Sequence, residues 1–236
     1  MGSETVTVKI KNFGELPVSD PFQVGYSINN GSTYTYATIN PTINSEDEYT
    51  YSFTTLANLS QPGLKQLKFK TVLPGDEDVS NDTYSTTLFV YPTLNYAYQN
   101  SFESSNGYWN PSGANSTWAW GLPAATLINT ASDGTKAWVT NLKGYHAQSE
   151  VSYLESPCFN FSSSSEYVMF SFDYFINAEN LVDGFRLEYS INGGTNWNPV
   201  PAHASQSQNW CSTPVSSLGG SNGWTSTSAG YITAKT

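Results

Sequence analysis

The stretch that decides the fold is FQVGYSINNGSTYTY, residues 22–36. Between Phe22 and Ile28 apolar residues alternate with polar or small ones, which is the period of a strand with one buried face. Asn30 and Gly31 then interrupt the alternation, and Asn-Gly is a strong hairpin signal because both residues tolerate a positive φ. The alternation returns at Tyr34. The stretch therefore predicts a β-hairpin.

The same alternation recurs on both sides of this hairpin. Short segments with strand period are separated by Gly, Pro, Asn and Asp, the residues that favour turns. Strands at this spacing predict a small Ig-like β-sandwich. Besides the hairpin, the predicted strands of this part are 5–11, 49–53, 64–72 and 83–90.

Pro92 follows the last of these strands, and the chain changes character after it. All seven tryptophans lie beyond this point. We therefore predict one domain at residues 1–93 and a second at 94–236. Strands again dominate the second part, so the fold class is all-β throughout, and residues 202–230 are predicted to be a long loop with a strand starting near Gly230. The predicted strands are 136–140, 151–154, 167–175 and 185–191.

Composition excludes several classes of protein. The 236 residues carry 9 basic and 19 acidic side chains, a net charge of −10, and Arg186 is the sole arginine. A nucleic-acid binder needs clustered Lys and Arg, so no nucleic-acid partner is expected. The 35 aromatic residues exclude a disordered tail. No apolar run approaches the roughly 18 residues that span a bilayer, so no membrane insertion is expected.

The first part resembles the Ig-like, cell-adhesion-related (CARDB-type) modules of bacterial surface proteins. Such modules mostly act as spacers or contact modules, so the resemblance implies a non-catalytic role at the cell surface. The segments that carry it are Val6–Gly14, Phe22–Asn29, Gly75-Asp76 and Asn81–Thr83.

The second part resembles the MAM-like jelly roll of secreted bacterial adhesins, including the cleaved adhesin modules of gingipain proteases. The resemblance implies a jelly-roll β-sandwich. In this family the Trp-rich loop is followed by two or more strands, so we expect the domain to be truncated at its C-terminus. The matching segments are Phe102–Ser104, Trp118–Pro123, Trp138–Thr140, Tyr153–Phe159, Asp183-Gly184 and Glu188–Trp197.

The resemblance also implies a structural calcium ion at Glu103, because a Glu after Phe near the start of this domain often helps to bind one. Calcium collects six to eight oxygen ligands, and Asp173 and Asp183 would supply further carboxylates. The alternative is that Glu103 caps a strand and that Asp183 opens a hairpin. The acidic segment 76–82 is a second candidate, although it lacks EF-hand spacing and is better explained as a solvated loop.

Four tryptophans are candidate ligand-binding residues, because sugar rings pack their C–H faces on flat aromatic rings. Trp118, Trp120, Trp210 and Trp224 lie in segments predicted to be loops, where binding residues concentrate. The alternative is a buried jelly-roll core. We favour the core for Trp118 and Trp120 and exposure for Trp210 and Trp224. Tyr34, Tyr36, Tyr49 and Tyr51 form a similar candidate contact face, or cover one side of the sandwich.

The two cysteines, Cys158 and Cys211, allow one disulfide, and a buried free pair is the alternative. Low Lys content and acidic balance are typical of exported proteins. The chain carries no two-histidine zinc motif, and neither His146 nor His203 lies near a plausible nucleophile. We therefore expect no enzymatic activity.

These observations predict a non-catalytic adhesion or display fragment of a large bacterial protein, secreted or at the cell surface. Its partner would be a cell-surface protein or a glycan. By resemblance, such chains often leave the cell by type IX secretion. Two alternatives stay open: a carbohydrate-binding accessory module of a secreted enzyme, and an ancillary domain of a secreted protease.

Overall fold

The structure is a computed structural model that describes residues 2–163 and 167–236. Within these residues the chain is all-β, with antiparallel strand pairs and one short 3₁₀ helix, Ser216–Leu218, which confirms the predicted fold class. The chain divides into two compact units. The first unit contains Met1–Leu94 and Ser156–Cys158, and the second contains Asn95–Glu155 and Phe159–Thr236.

The first unit contains a four-stranded antiparallel sheet in the order β4-β3-β7-β8 and the antiparallel pairs β2-β5 and β1-β6. Every strand predicted for this part of the chain is confirmed, with ends shifted by a few residues. The strands are β1 (Ser3–Glu4), β2 (Thr7–Lys11), β3 (Phe22–Ser27), β4 (Thr35–Ile39), β5 (Glu48–Ser52), β6 (Ala57–Asn58), β7 (Gly63–Val72) and β8 (Thr83–Val90).

A single apolar core lies between these sheets. Phe22, Val24 and Tyr26 project into it from β3 and are almost fully buried. Tyr49 and Tyr51 of β5 pack against the same core, so they cover a sandwich face as the preferred alternative predicted. Because side chains from two sheets meet in one cluster, the first unit is a two-layer β-sandwich.

The hairpin between β3 and β4 has the turn that the sequence predicts. Asn30 and Gly31 both have positive φ, 59° and 83°. The two strands pair from Phe22↔Ile39 to Tyr26↔Thr35. The β3 strand also pairs with β7, so it lies in the middle of the sheet. This arrangement places residues of β3, β4 and β7 side by side on the outer face.

The second unit is made of shorter antiparallel pairs: β10-β13, β11-β12, β15-β21, β17-β18 and the three-stranded β16-β20-β19. The strands are β9 (Thr93–Asn95), which crosses the boundary, β10 (Asn110–Ala114), β11 (Trp118–Gly121), β12 (Ala137–Thr140), β13 (Val151–Glu155), β14 (Cys158–Asn160), β15 (Ser171–Tyr174), β16 (Gly184–Phe185), β17 (Glu188–Tyr189), β18 (Asn198–Pro199), β19 (Thr213–Pro214), β20 (Asn222–Thr225) and β21 (Ile232–Lys235).

Two predictions for the second unit are wrong in detail. Residues 202–230 are not one loop, because they contain β19 and β20, and β20 pairs with both β16 and β19. The predicted strand 185–191 is divided into β16 and β17. The strand expected near Gly230 is β21, which pairs with β15 from Ser171↔Lys235 to Tyr174↔Ile232. The jelly-roll topology itself stays a prediction.

Candidate functional site

Glu103 anchors the loop that precedes β12. Its carboxylate accepts hydrogen bonds from the backbone N–H groups of Thr135 (2.8 Å) and Lys136 (2.6 Å) and from the Thr135 hydroxyl (2.9 Å). These bonds hold the pKa of Glu103 below its usual value. Gly134 has a φ of 67°, and a Cβ there would lie 2.4 Å from the Glu103 Cδ, so only glycine lets the carboxylate approach.

Asp173, on β15, holds the other end of the same loop. Its carboxylate accepts hydrogen bonds from the hydroxyls of Ser132 (2.6 Å) and Thr233 (2.5 Å), which lower the pKa of Asp173. Thr233 is the register partner of Asp173 on β21. The structure therefore brings two of the three predicted calcium ligands, Glu103 and Asp173, to opposite ends of segment 132–136.

Asp183 does not join this arrangement through its described contacts. Its backbone N–H donates to the Glu179 carbonyl, and its own carbonyl accepts from the Thr225 hydroxyl. Across the described part of the chain, no group of three or more His, Cys, Asp or Glu side chains is placed to hold a metal ion. The carboxylate oxygens of Glu103 and Asp173 already accept hydrogen bonds from N–H and O–H donors, and no further carboxylate is placed beside them among the described residues. The donor set thus does not fit a calcium site built on the three carboxylates, and calcium stays a prediction.

The acidic segment 76–82 is a self-contained turn region. Asp76 accepts the N–H of Asp78, and Asp78 accepts the N–H and hydroxyl of Ser80, which lower the pKa of Asp78. Asp82 accepts the Thr71 hydroxyl. Carboxylates that bond their own backbone two residues further on are typical of Asx-turns. These contacts support the solvated-loop interpretation.

Trp224 is buried, which contradicts the predicted exposure of this side chain. It is 5% exposed, lies on β20 and stacks on Phe185 at 5.0 Å. Trp210 packs edge-on against Trp224 at 5.1 Å and is half-buried. Their indole N–H groups donate to the carbonyls of Asn209 and Val200. Trp224 therefore belongs to the core of the second unit, where β20 places it, and Trp210 packs against that core. Neither ring offers an open face to a sugar.

Trp118 and Trp120 are half-buried on β11, next to β12. The indole N–H of Trp120 donates to the Phe102 carbonyl at 2.8 Å. The Lys136 ammonium lies 4.7 Å from the centre of the Trp120 ring and donates to the Glu103 carbonyl. A lysine already occupies the face of Trp120, so this ring supports the loop that Glu103 anchors.

In the structure Cys158 and Cys211 are free thiols, and a disulfide between them stays a prediction. Cys158 is exposed and belongs to the first unit, whereas Cys211 is half-buried in the second unit, beside Trp210. Burial raises the pKa of the Cys211 thiol. The bridge was inferred from the count of cysteines alone, and the two residues fold into different units.

A repeated hairpin went unnoticed at the level of sequence. In YSINNGSTY, residues 26–34, the Ser27 hydroxyl donates to Asn29 Oδ1 and accepts the Gly31 N–H, while the Thr33 N–H donates to Asn29 Oδ1. In YSINGGTNW, residues 189–197, the same bonds join Ser190, Asn192, Gly194 and Asn196. The shared Tyr-Ser-Ile-Asn-x-Gly motif was the signal that would have revealed it.

Each copy of the hairpin ends in an aromatic ring that rests against its glycine. In the second unit a Cβ on Gly194 would lie 3.6 Å from the Trp197 ring, and Trp197 is 45% exposed. In the first unit a Cβ on Gly31 would lie 3.1 Å from the Tyr34 hydroxyl. Trp197 is thus an exposed aromatic residue that the search among Trp118, Trp120, Trp210 and Trp224 missed, whereas Tyr34 is half-buried.

Tyr34 forms a flat two-ring surface with Tyr36. The rings stack with centroids 5.6 Å apart and planes 28° apart. They lie over Gly25, where a Cβ would be 2.8 Å from Tyr36 and 3.3 Å from Tyr34. The Lys70 ammonium lies 4.5 Å from the Tyr34 centroid and 5.2 Å from that of Tyr36. A hydrogen bond with Tyr36 raises the pKa of Lys70, so this side chain keeps its positive charge.

Comparison with known proteins gives one partial similarity. The chain is 32% identical over 139 residues, 58% of its length, to Bacillopeptidase F of Bacillus subtilis (strain 168). It spans only 9% of the length of that protein. No family model matches the chain, and no solved structure matches it. The chain is therefore similar to a segment of a bacterial peptidase.

Within 2–163 and 167–236, no helix is both long and apolar enough to cross a bilayer.

Proposed function

We propose that this chain is a non-catalytic binding region of a secreted bacterial protein, ancillary to a peptidase. The observation that carries the proposal is the similarity over 139 residues to a segment of Bacillopeptidase F. The proposal retains the third of the hypotheses drawn from sequence and combines it with the adhesion hypothesis. Extracellular location is part of the proposal, and it agrees with the acidic composition of the chain.

The fold supports a binding role through its exposed aromatic residues. One such residue lies on the outer face of the first unit, where Tyr36 is 43% exposed beside Lys70. Tyr is enriched at interfaces, because it presents a large rigid ring with a polar tip. Tethering a peptidase to a surface through such a face would raise the local concentration of its substrate.

Two assays on the purified chain test this role. In the first, the chain is incubated with fluorescent casein, and we expect no hydrolysis above buffer. In the second, it is mixed with washed bacterial cell walls and sedimented, and we expect the folded chain to be retained and the heat-unfolded chain to remain in the supernatant. Casein hydrolysis by the pure chain, or equal sedimentation of folded and unfolded chain, would overturn the proposal.

A carbohydrate-binding module is the second candidate, and one observation favours it. The ring surface of Tyr34 and Tyr36 is flat and partly open, unlike the four tryptophans first considered. Flat aromatic rings bind the C–H faces of sugars because the two surfaces match in shape and polarity.

A further inference from the structure

The outer face of the sheet β4-β3-β7-β8 holds one continuous row of side chains. In the strand register, Tyr36 lies opposite Gly25, Gly25 lies opposite Lys70, and Lys70 lies opposite Thr83. Residues paired in this way project to the same face of a sheet. Since Gly25 has no side chain, the Tyr36 ring lies across it and reaches towards Lys70. The lack of a side chain at Gly25 thus leaves room for the Tyr36 ring to lie against the sheet.

A second cation extends this row along β7. Lys68 is two residues before Lys70 and therefore shares its face. A Cβ on Gly31 would lie 3.3 Å from Lys68 Cδ and 3.1 Å from the Tyr34 hydroxyl, which places Lys68 beside the tyrosine pair. Among the described residues, neither lysine lies within salt-bridge distance of a carboxylate, whereas Lys9, Lys11 and Arg186 are paired. Lys68 and Lys70 thus add two positive charges to this face of a chain with a net charge of −10, and Asp82 is near enough to contribute to the raised pKa of Lys70.

A shallow polar depression adjoins the lysines. Its volume is about 180 Å³. This is less than the roughly 300–1,000 Å³ of sites for drug-sized ligands, so it suits one ring of a polymer rather than a whole compact ligand. Lys68 pairs with Ser85 in the strand register, which places the depression next to it. The lining residues are Asn30, Gln66, Leu67, Ser85, Thr86 and Thr87.

We propose that this face of the first unit binds an acidic polysaccharide through Tyr34 and Tyr36, Lys68 and Lys70, and the neighbouring depression. The proposal rests on the binding role proposed above and names its ligand class. A sugar ring contacts the exposed part of Tyr36, its carboxylate contacts the two ammonium groups, and the hydroxyls of the next ring meet the amides and hydroxyls of the depression.

Charge and position favour this ligand over a peptide. The two positive charges call for a negatively charged partner. A peptide that adds a strand bonds to the edge strand β4, whereas Gly25 and Lys70 lie on the central strands β3 and β7, away from that edge. A flat pair of rings beside amide and hydroxyl groups matches the alternating C–H and O–H surfaces of a sugar chain.

Polygalacturonate and its fully methyl-esterified form test the proposal, because the two polymers share a backbone and differ in charge. Binding to the purified chain is measured by isothermal titration calorimetry. We expect polygalacturonate to bind at least about tenfold more tightly, since charge-assisted hydrogen bonds are about twice as strong as neutral ones. Raising the salt concentration should weaken this binding, because both lysines are only half-buried and salt screens their charges.

Three variants locate the site. Tyr36→Ala removes the ring, the double variant Lys68→Met/Lys70→Met removes the charge and keeps the side-chain length, and Gly25→Ala keeps both rings but inserts a Cβ 2.8 Å from Tyr36. Each is expected to weaken binding about tenfold or more. Tyr145→Ala and Lys143→Met, at exposed positions in the second unit, are matched controls and should bind as the wild type does.

Thermal melts of all variants establish that each is folded, so a loss of binding is attributed to the surface. Equal binding of the two polymers would overturn the acidic ligand, and wild-type binding by Tyr36→Ala would overturn the ring surface. If the chain binds neither polymer but is still retained on cell walls, this inference fails and the proposed function stands. If the chain also fails to bind cell walls, both fail.

Discussion

The hydroxyls of Ser27 and Ser190 make the same hydrogen bonds in two hairpins that belong to different units. Each accepts the N–H of a glycine four residues further on, Gly31 or Gly194, at 2.9 Å. The environments differ, because Ser27 is 2% exposed and Ser190 is half-buried. The same hairpin hydrogen bonds are therefore made by one buried serine and by one half-buried serine.

Replacing these serines with alanine separates the effect of the hydrogen bond from that of burial. Ser27→Ala leaves the Gly31 N–H without this partner in a buried place, and we expect a loss of about 1–3 kcal/mol in the stability of the first unit. Ser190→Ala should cost about 0.5–1.5 kcal/mol in the second unit, where water reaches the turn. Urea unfolding measures both.

Tryptophan fluorescence reports only the second unit, because all seven tryptophans lie there, and circular dichroism reports the whole chain. Ser217→Ala, at an exposed position, is the control and should be neutral within about 0.5 kcal/mol. Equal losses for Ser27→Ala and Ser190→Ala would show that burial does not affect the contribution of this bond.

Replacing Trp224 or Trp197 with alanine should have very different effects on the stability of the second unit. Trp224→Ala removes a ring that contacts Phe185 and Trp210 in the core, and we expect a loss of about 3–5 kcal/mol. Trp197→Ala removes a half-exposed ring at a hairpin and should stay within about 1 kcal/mol. The measurement is urea unfolding followed by the remaining tryptophans. A loss of stability in Trp197→Ala as large as that in Trp224→Ala would contradict the half-exposed position of the Trp197 ring.

The carboxylates of Glu103 and Asp173 make the stability of the second unit depend on pH in the acidic range. Their pKa values lie below the usual range in the folded state, because N–H and O–H groups donate to the charged forms. The stabilisation is therefore present above the unfolded-state pKa, about 4, and is lost as the pH falls through the lower folded-state values. We expect the thermal midpoint to fall between pH 5 and pH 3 on this account.

The double variant Glu103→Gln/Asp173→Asn should flatten this part of the pH profile. It should also lower the midpoint at pH 7, since neutral amides accept weaker hydrogen bonds. Glu77→Gln, at an exposed site outside the loop, is the control and should keep the wild-type slope. An unchanged slope in the double variant would show that other groups govern the acid response.

The same variants decide the calcium prediction. Because the carboxylate oxygens of Glu103 and Asp173 already accept hydrogen bonds, we expect melting curves with millimolar calcium and with a chelator to coincide. A ligand that binds only the native state raises the midpoint by mass action. A rise of several degrees that disappears in Glu103→Gln would restore calcium to the function of the second unit.

The two thiols should differ in reactivity towards a disulfide reagent. Cys158 is exposed, whereas burial raises the pKa of Cys211 and reduces its thiolate fraction. We expect one thiol to react quickly in the native chain and the second only in denaturant. A Cys158→Ser variant should lose the fast phase. An intact mass lower by two hydrogens, with no reactive thiol, would instead establish the disulfide.

The sequence predicts the first unit well and the second unit poorly, for a physical reason. In the first unit one sheet face is buried, so Phe22, Val24 and Tyr26 mark it by a period of two. In the second unit the strands are two to five residues long, which is too short for a period to show. Trp224 was misplaced because its strand, Asn222–Thr225, is set by its pairing with the distant β16.

Prediction of the candidate sites from the sequence is limited in the same way. Glu103 and Asp173 were predicted as calcium ligands, and their hydrogen bonds to segment 132–136 depend on contacts that the sequence does not show. The Tyr36–Gly25–Lys70 row was not predicted, because it depends on strand register rather than on neighbours in sequence. Register follows from the turn and the buried face together, and only the structure shows which outer residues become adjacent.

The pairing of β15 with β21 also bears on the order in which the chain folds. Asp173 and Thr233 are register partners sixty positions apart, whereas each repeated hairpin closes within nine residues. Short loops close within about a microsecond, and non-local strand pairing is slower. During synthesis the hairpin at 26–34 and the other strands of the first sandwich are made early, so they can pair before the second unit is complete. The β15-β21 pair cannot form before residues 232–235 have been synthesised. Until then β15 has no partner strand.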